Sequence, residues 1–221
     1  MKLIAGKKYL QIAFNRPLNE VAQMIGLLPV SERILIEAGT PLIKKYGASA
    51  ITFLRNWVYL RSRGQTYIVA DLKCMDRAQT EVEIAARAGA SAATCLALAP
   101  LETIDEFISQ CQKNGIASML DMLNVEFPFE ILGKLRELPK VVVLHRAADE
   151  ADSKEKELPF HQIEEIKSVY DVLISVAGGE SVKEVGQALF NDADIAVVWR
   201  QFYEKPGKMA ELAREFLREI R

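Results

Sequence analysis

Short, almost wholly hydrophobic runs recur along this 221-residue chain, each followed by residues spaced for a helix. The runs are Tyr9–Phe14, Ile34–Ala38, Thr66–Leu72, Ala92–Leu96, Ala117–Met122, Val141–His145, Val172–Val176 and Ile195–Val198. A strand with one wet face alternates apolar and polar residues, whereas strands this uniformly apolar belong to a parallel sheet covered on both faces. Between them, Val82, Ala85 and Ala88, then Ile104, Phe107, Ile108 and Cys111, recur at i, i+3, i+4 spacing. Val182, Val185 and Leu189 do the same, as do Leu212, Phe216 and Ile220. Gly47, Gly89 and Gly115 stand where helix C-caps belong. Eight strands alternating with helices predict a (β/α)8 TIM barrel of the α/β class, one domain over residues 1–221. A doubly wound open sheet is the fallback.

Composition narrows the partners. Half of the residues are hydrophobic and the formal net charge is −2, which gives no footprint for nucleic acid or an anionic membrane. No apolar run approaches the ~20 residues of a spanning helix, and the N-terminus lacks a signal-peptide core. Cys74, Cys95 and Cys111 are odd in number and lie among apolar neighbours. They read as buried packing groups of a cytoplasmic protein, without zinc-site spacing. Asn56–Gln65, with Arg61 and Arg63, reads as a basic surface connection before the third strand. Asp149–Glu157 reads as a charged loop after the sixth, and whether it closes over a site is open.

Barrel active sites lie at the carboxyl ends of the strands. The exits here form a polar ring: Asn15, Glu37, Asp71 with Lys73, Asp121, His145, Gly178-Gly179 and Arg200. The fourth strand ends in Leu96-Ala97-Leu98 and adds nothing. Asp71 and Lys73 project to one side of an extended strand. A structural ion pair there competes with a chemical role. Glu37 and Asp71 are hard oxygen ligands suited to Mg2+ held through few protein contacts. Lys73 beside acids stays cationic and can stabilise an oxyanion. His145 can move a proton near neutral pH, or serve as a hydrogen-bonded wall residue. Gly178-Gly179 before a helix offers backbone N–H groups to a phosphate. Glu180 opposes an anion there, and His161 reads as structural or exposed.

Ala70-Asp71-Leu72-Lys73-Cys74-Met75-Asp76 resembles the D-x-K-x-x-D signature of the orotidine-monophosphate decarboxylase superfamily, most closely its 3-hexulose-6-phosphate synthase branch. Glu37-Ala38-Gly39-Thr40-Pro41-Leu42-Ile43-Lys44 resembles that branch's second-strand motif. Glu81–Gly89, Leu120-Asp121-Met122-Leu123, Leu144-His145 and Val176-Ala177-Gly178-Gly179 follow in the same order. The resemblance implies a homodimeric barrel with shared active sites. It also implies a magnesium-dependent lyase or aldolase acting on a phosphorylated sugar. In that branch ribulose 5-phosphate loses a proton and the enediolate adds to formaldehyde. Carried over, Glu37 and Asp71 bind metal, Lys73 stabilises the enediolate, and Asp76 reaches the partner's site. Asp121 positions hydroxyls or a proton, His145 shuttles a proton, and Gly178, Gly179 and Arg200 face the phosphate. Archaeal relatives of the branch are often fused to other enzymes, so such a partner of this chain is expected to be separate.

Three positions depart from the family pattern. Asn15 stands in place of an aspartate, Trp199 in place of a glycine after the eighth strand, and Glu180 in place of an apolar residue. After His145, Arg146-Ala147-Ala148 lacks the second arginine of the ketogulonate-phosphate decarboxylase branch. Two alternatives follow: a superfamily decarboxylase or enediolate enzyme with a different phosphorylated substrate, and a non-catalytic binding homologue.

Overall fold

The computed structural model describes residues 2–62, 67–147, 149, 160–178, 182–204 and 206–219, the side chains of Val182, Lys183 and Pro206 excepted. Eight parallel strands close into a barrel in sequence order. They are β1 (Tyr9–Phe14), β2 (Ile34–Ala38), β3 (Ile68–Cys74), β4 (Ala92–Leu96), β5 (Ala117–Asp121), β6 (Val141–His145), β7 (Leu173–Ala177) and β8 (Ile195–Val198). Closure is made by β1 pairing with β8, Tyr9 opposite Ile195. Alternation along each strand separates two apolar layers. Tyr9, Ala13, Leu35, Val69, Val143 and Val197 pack inside the barrel. Leu10, Ile12, Phe14, Ile36 and Ala70 face outward, against helical residues such as Val21, Ile25 and Leu54.

The helices are α1 (Leu18–Leu27), α2 (Thr40–Tyr46), α3 (Ala48–Ser62), α4 (Ala78–Ala88), α5 (Leu101–Lys113), α6 (Pro128–Leu132), α7 (His161–Val169), α8 (Val182–Phe190), α9 (Arg200–Glu204) and α10 (Met209–Glu219). The (β/α)8 barrel is therefore the fold, and the open sheet is excluded by closure. Two expectations change. Asn56–Ser62 is not a connection but the second half of α3, whose Ala50, Ile51 and Leu54 are buried. The third strand runs on past Leu72 to Cys74, carrying its charged residues within it. Residues 63–65 of the expected connection and Thr66 of the expected third strand lie outside the described residues, as do residues 150–157 of the charged loop. Cys74, Cys95 and Cys111 are all free and buried. Among the described residues no helix is long and apolar enough to cross a membrane.

Gly89 ends α4 with φ = 95°, and its N–H bonds back to the Ala85 and Ala86 carbonyls. A β-carbon there would meet Arg55 Cδ at 2.2 Å. The left-handed conformation costs a non-glycine residue about 1–2 kcal/mol. Gly89→Ala is expected to lower the melting temperature by about 2–4 °C for each kcal/mol lost. An unchanged melting curve would show that the cap does not need glycine.

Candidate active site

At the carboxyl end of the barrel a cavity of about 380 Å³ is lined by Gln11, Asn15, Glu37, Asp71, Lys73 and Thr94 on one side. Asp121, His145, Arg146, Gly178 and Trp199 complete its walls. At its centre the Lys73 ammonium lies 3.2 Å from Asp71 Oδ1 and 3.0 Å from Asp121 Oδ2. Burial alone would lower the lysine pKa, but the two carboxylates more than offset it and hold it above its ordinary value. Asp121 is 2% exposed, and burial alone would raise its pKa. His145 and Lys73 outweigh burial and hold its carboxyl below the usual range. His145 Nδ1 stands 3.0 and 2.9 Å from the two Asp121 oxygens, and the Leu123 N–H donates to Asp121 Oδ1 at 3.0 Å. The chain Asp71–Lys73–Asp121–His145 thus links β3, β5 and β6.

Lys73 reaches this position because β3 is bulged. Ala70 pairs with Ala93 and Cys74 with Cys95, so Asp71, Leu72 and Lys73 lie opposite Thr94 alone. Lys73 adopts φ = 47° within the bulge. Asp71 is held by three side chains. Thr94 donates to Oδ1 at 2.8 Å, Lys73 approaches the same oxygen, and Thr40 donates to Oδ2 at 2.7 Å.

Glu37 is 7% exposed and accepts a hydrogen bond from Gln11 Nε2 at 2.5 Å. Burial, with Asp71 nearby, pushes its carboxyl pKa up to about 8. Gln11 Oε1 is buried without a hydrogen-bond partner among the described residues. Two adjacent buried carboxylates with an unsatisfied amide oxygen suit a hard dication that keeps water ligands. Among the described residues no group of three His, Cys, Asp or Glu side chains is arranged for a metal. The Glu37 and Asp71 carboxylates are hard oxygen donors of the kind magnesium takes when water fills its other positions.

The other end of the cavity is differently built. Asn15 Oδ1 is buried without a hydrogen-bond partner among the described residues, and a β-carbon on Gly39 would lie 2.0 Å from it. The Asn15 N–H donates to Tyr203 Oη at 2.7 Å, and that hydroxyl donates to the Ala13 carbonyl at 3.0 Å. The Trp199 ring meets Tyr203 at 6.1 Å, edge to face. Arg200 is not among the cavity-lining residues; its guanidinium lies 5.4 Å over the Trp199 ring. Gly178 has φ = 97°, and an added β-carbon would sit 2.4 Å from the Arg146 carbonyl. Arg146 Nη2 donates to the Gly178 carbonyl at 2.6 Å. Gly179, Glu180 and Ser181 lie outside the described residues.

Asp76 is exposed, away from this cavity within one chain, and its Oδ1 accepts the Arg77 N–H at 2.7 Å. His161 is exposed at the start of α7. The sequence reading missed Gln11, Thr40, Thr94, Arg146 and Tyr203. It also dismissed β4, which supplies Thr94 from mid-strand. A lone hydroxyl or amide inside an apolar strand was the available signal for Thr94 and Gln11.

The model of the Orotidine 5'-phosphate decarboxylase / HUMPS family matches residues 8–216. A bifunctional enzyme Fae/Hps of Methanothrix thermoacetophila is 40% identical over 215 residues, covering 96% of this chain and 53% of that protein. The chain thus spans about half the length of the curated relatives it matches. Among solved structures, a 3-hexulose-6-phosphate synthase superposes with a TM-score of 0.83 at 28% identity, covering 96% of this chain and 100% of that one. The KGPDC of Streptococcus mutans shares the fold at a TM-score of 0.79 and 21% identity, with 97% of each chain covered.

An acid whose folded pKa exceeds its ordinary 4.5 binds its proton more tightly when folded. For Glu37 this favours the fold below that pH, and the benefit disappears as pH rises through about 8. In metal-free buffer, the melting-temperature difference between Glu37→Gln and the wild type should therefore grow in the variant's favour from pH 5 to pH 9. A difference constant across that range would contradict the assigned environment of Glu37.

Proposed function

Since the chain belongs to the Orotidine 5'-phosphate decarboxylase / HUMPS family, we propose that it is a magnesium-dependent lyase of the hexulose-6-phosphate synthase type. Its substrates in this reading are ribulose 5-phosphate and formaldehyde. The observation that carries the reading is the Lys73 ammonium held between Asp71 and Asp121 at the mouth of the barrel. A cation placed before reaction, and kept charged by flanking carboxylates, stabilises negative charge developing on a substrate oxygen. The 40% identity to a Fae/Hps enzyme and the 28% identity to a solved synthase support the same choice.

Glu37 and Asp71 would hold the magnesium ion, which supplies positive charge beside the substrate oxygens. His145 bonds Asp121 through Nδ1, leaving Nε2 as the atom that exchanges a proton with substrate. Removal of the proton next to the ketose carbonyl gives an enediolate, whose oxyanion Lys73 stabilises. The enediolate carbon attacks formaldehyde, forming the new carbon–carbon bond, and the formaldehyde oxygen takes up a proton to give the hexulose phosphate. Gly178 faces the phosphate in this reading, and the family resemblance assigns Gly179 and Arg200 to the same ligand. Asp76, exposed in one chain, serves the site of a second copy in a homodimer. The three free buried cysteines support a cytoplasmic setting.

Trp199 favours a second reading. Its indole lines the cavity end where the phosphate would sit. A different phosphorylated substrate, a decarboxylation or a binding role without turnover accommodates that wall.

Purified protein with magnesium, ribulose 5-phosphate and formaldehyde should form hexulose phosphate. No product, together with no effect of ribulose 5-phosphate on melting temperature, would rule the synthase reading out. Lys73→Ala should lower kcat/KM by roughly 10²–10³-fold, as removal of one oxyanion stabiliser does. Near-normal turnover in that variant would remove Lys73 from the chemistry. Mixing Lys73→Ala with Asp76→Ala protein should restore activity through heterodimers with one intact site, and lack of rescue in confirmed heterodimers would place Asp76 in its own chain's service.

A further inference from the structure

Thr94 takes no part in the reaction proposed above, yet one of its atoms touches two groups that do. It lies in the middle of β4 and is 5% exposed. Opposite it, the bulge in β3 takes Asp71, Leu72 and Lys73 out of register. A bulge leaves backbone donors without their ladder partners, and a buried N–H must find another acceptor. The Lys73 N–H finds Thr94 Oγ1 at 3.0 Å. The same hydroxyl donates its proton to Asp71 Oδ1 at 2.8 Å. A hydroxyl has one proton and two lone pairs, so it serves both bonds at once.

The two bonds act on the two ends of one geometry. The first holds the backbone of Lys73 in its left-handed conformation, φ = 47°, which is uncommon and strained for a residue with a side chain. The second sets the plane of the carboxylate against which the same lysine's ammonium rests. Thr40 tethers Oδ2, so without Thr94 the orientation of Oδ1 rests on the lysine it is meant to position. A valine at 94 keeps a similar shape but neither bond.

We propose that Thr94 is a positioning residue: its hydroxyl fixes the strained Lys73 backbone and the Asp71 carboxylate together, setting where the ammonium sits between Asp71 and Asp121. What Lys73 does there rests on the proposed function; what Thr94 does to Lys73 does not.

The test compares Thr94→Val with Thr94→Ser in the full chain, with Thr94→Ala as the substitute if the valine variant fails to fold. Loss of one hydrogen bond should speed amide hydrogen exchange of Lys73 by about tenfold in Thr94→Val, while Thr94→Ser retains the protection. With magnesium, ribulose 5-phosphate and formaldehyde, a displaced ammonium should lower kcat of Thr94→Val by about 10²-fold. KM should stay near the wild-type value, and Thr94→Ser should recover most of the turnover. Undiminished Lys73 protection in Thr94→Val overturns the proposal, as does a serine variant as slow as the valine one. A wild type with neither turnover nor a melting-temperature response to ribulose 5-phosphate would sink the proposed function and not this one, and the exchange rates would then decide the role of Thr94.

Discussion

A lysine ammonium between two buried carboxylates is the interaction around which the carboxyl end of this barrel is arranged. Two carboxylates at such depth need a cation beside them, and they in turn offset the cost of burying the lysine's charge. The cluster is stable only as a unit. Its members come from β3 and β5, and His145 joins from β6. The barrel must therefore close in good register before these charges find one another. The bulge in β3 follows from the same requirement. Without it, Lys73 and Asp71 would be spaced by a regular strand, and the backbone of Lys73 would not be drawn toward Thr94.

The strands were legible because parallel strands buried on both faces leave uniformly apolar runs. Tyr9–Phe14, Ile34–Ala38, Ala92–Leu96, Val141–His145 and Ile195–Val198 lie where the pattern puts them. The reading failed where charge was taken as a sign that an element had ended. Asp71 and Lys73 suggested a strand exit, yet β3 continues to Cys74 because its charges satisfy one another inside the barrel. Asn56 and Arg61 suggested a surface connection, yet α3 carries them on a helix anchored by Ala50, Ile51 and Leu54.

Site residues at strand ends were legible for the same reason the fold was: a polar group terminating an apolar run is conspicuous. Glu37, Asp71, Lys73, Asp121, His145 and Asn15 all reach one cavity. Thr94 and Gln11 were not seen, because a barrel also projects side chains into its cavity from positions before the exit. Tyr203 could not be found by any strand-based rule. It belongs to α9, and its role depends on packing beside Trp199 and on hydrogen bonds to β1.

The two halves of the cavity differ in how they are braced. Side chains from β3, β4, β5, β6 and α2 hold the charged half through many mutual bonds. Opposite, the phenol of Tyr203 bridges the Ala13 carbonyl and the Asn15 amide while its ring abuts Trp199. A change in the charged half disturbs several partners at once, whereas a change at Trp199 meets few. A substitution at Trp199 would therefore reshape the cavity wall while leaving the network around Lys73 intact. Asn15 and Trp199 both lie on this less tightly bonded side, so the cavity can change its shape there without unseating its charges.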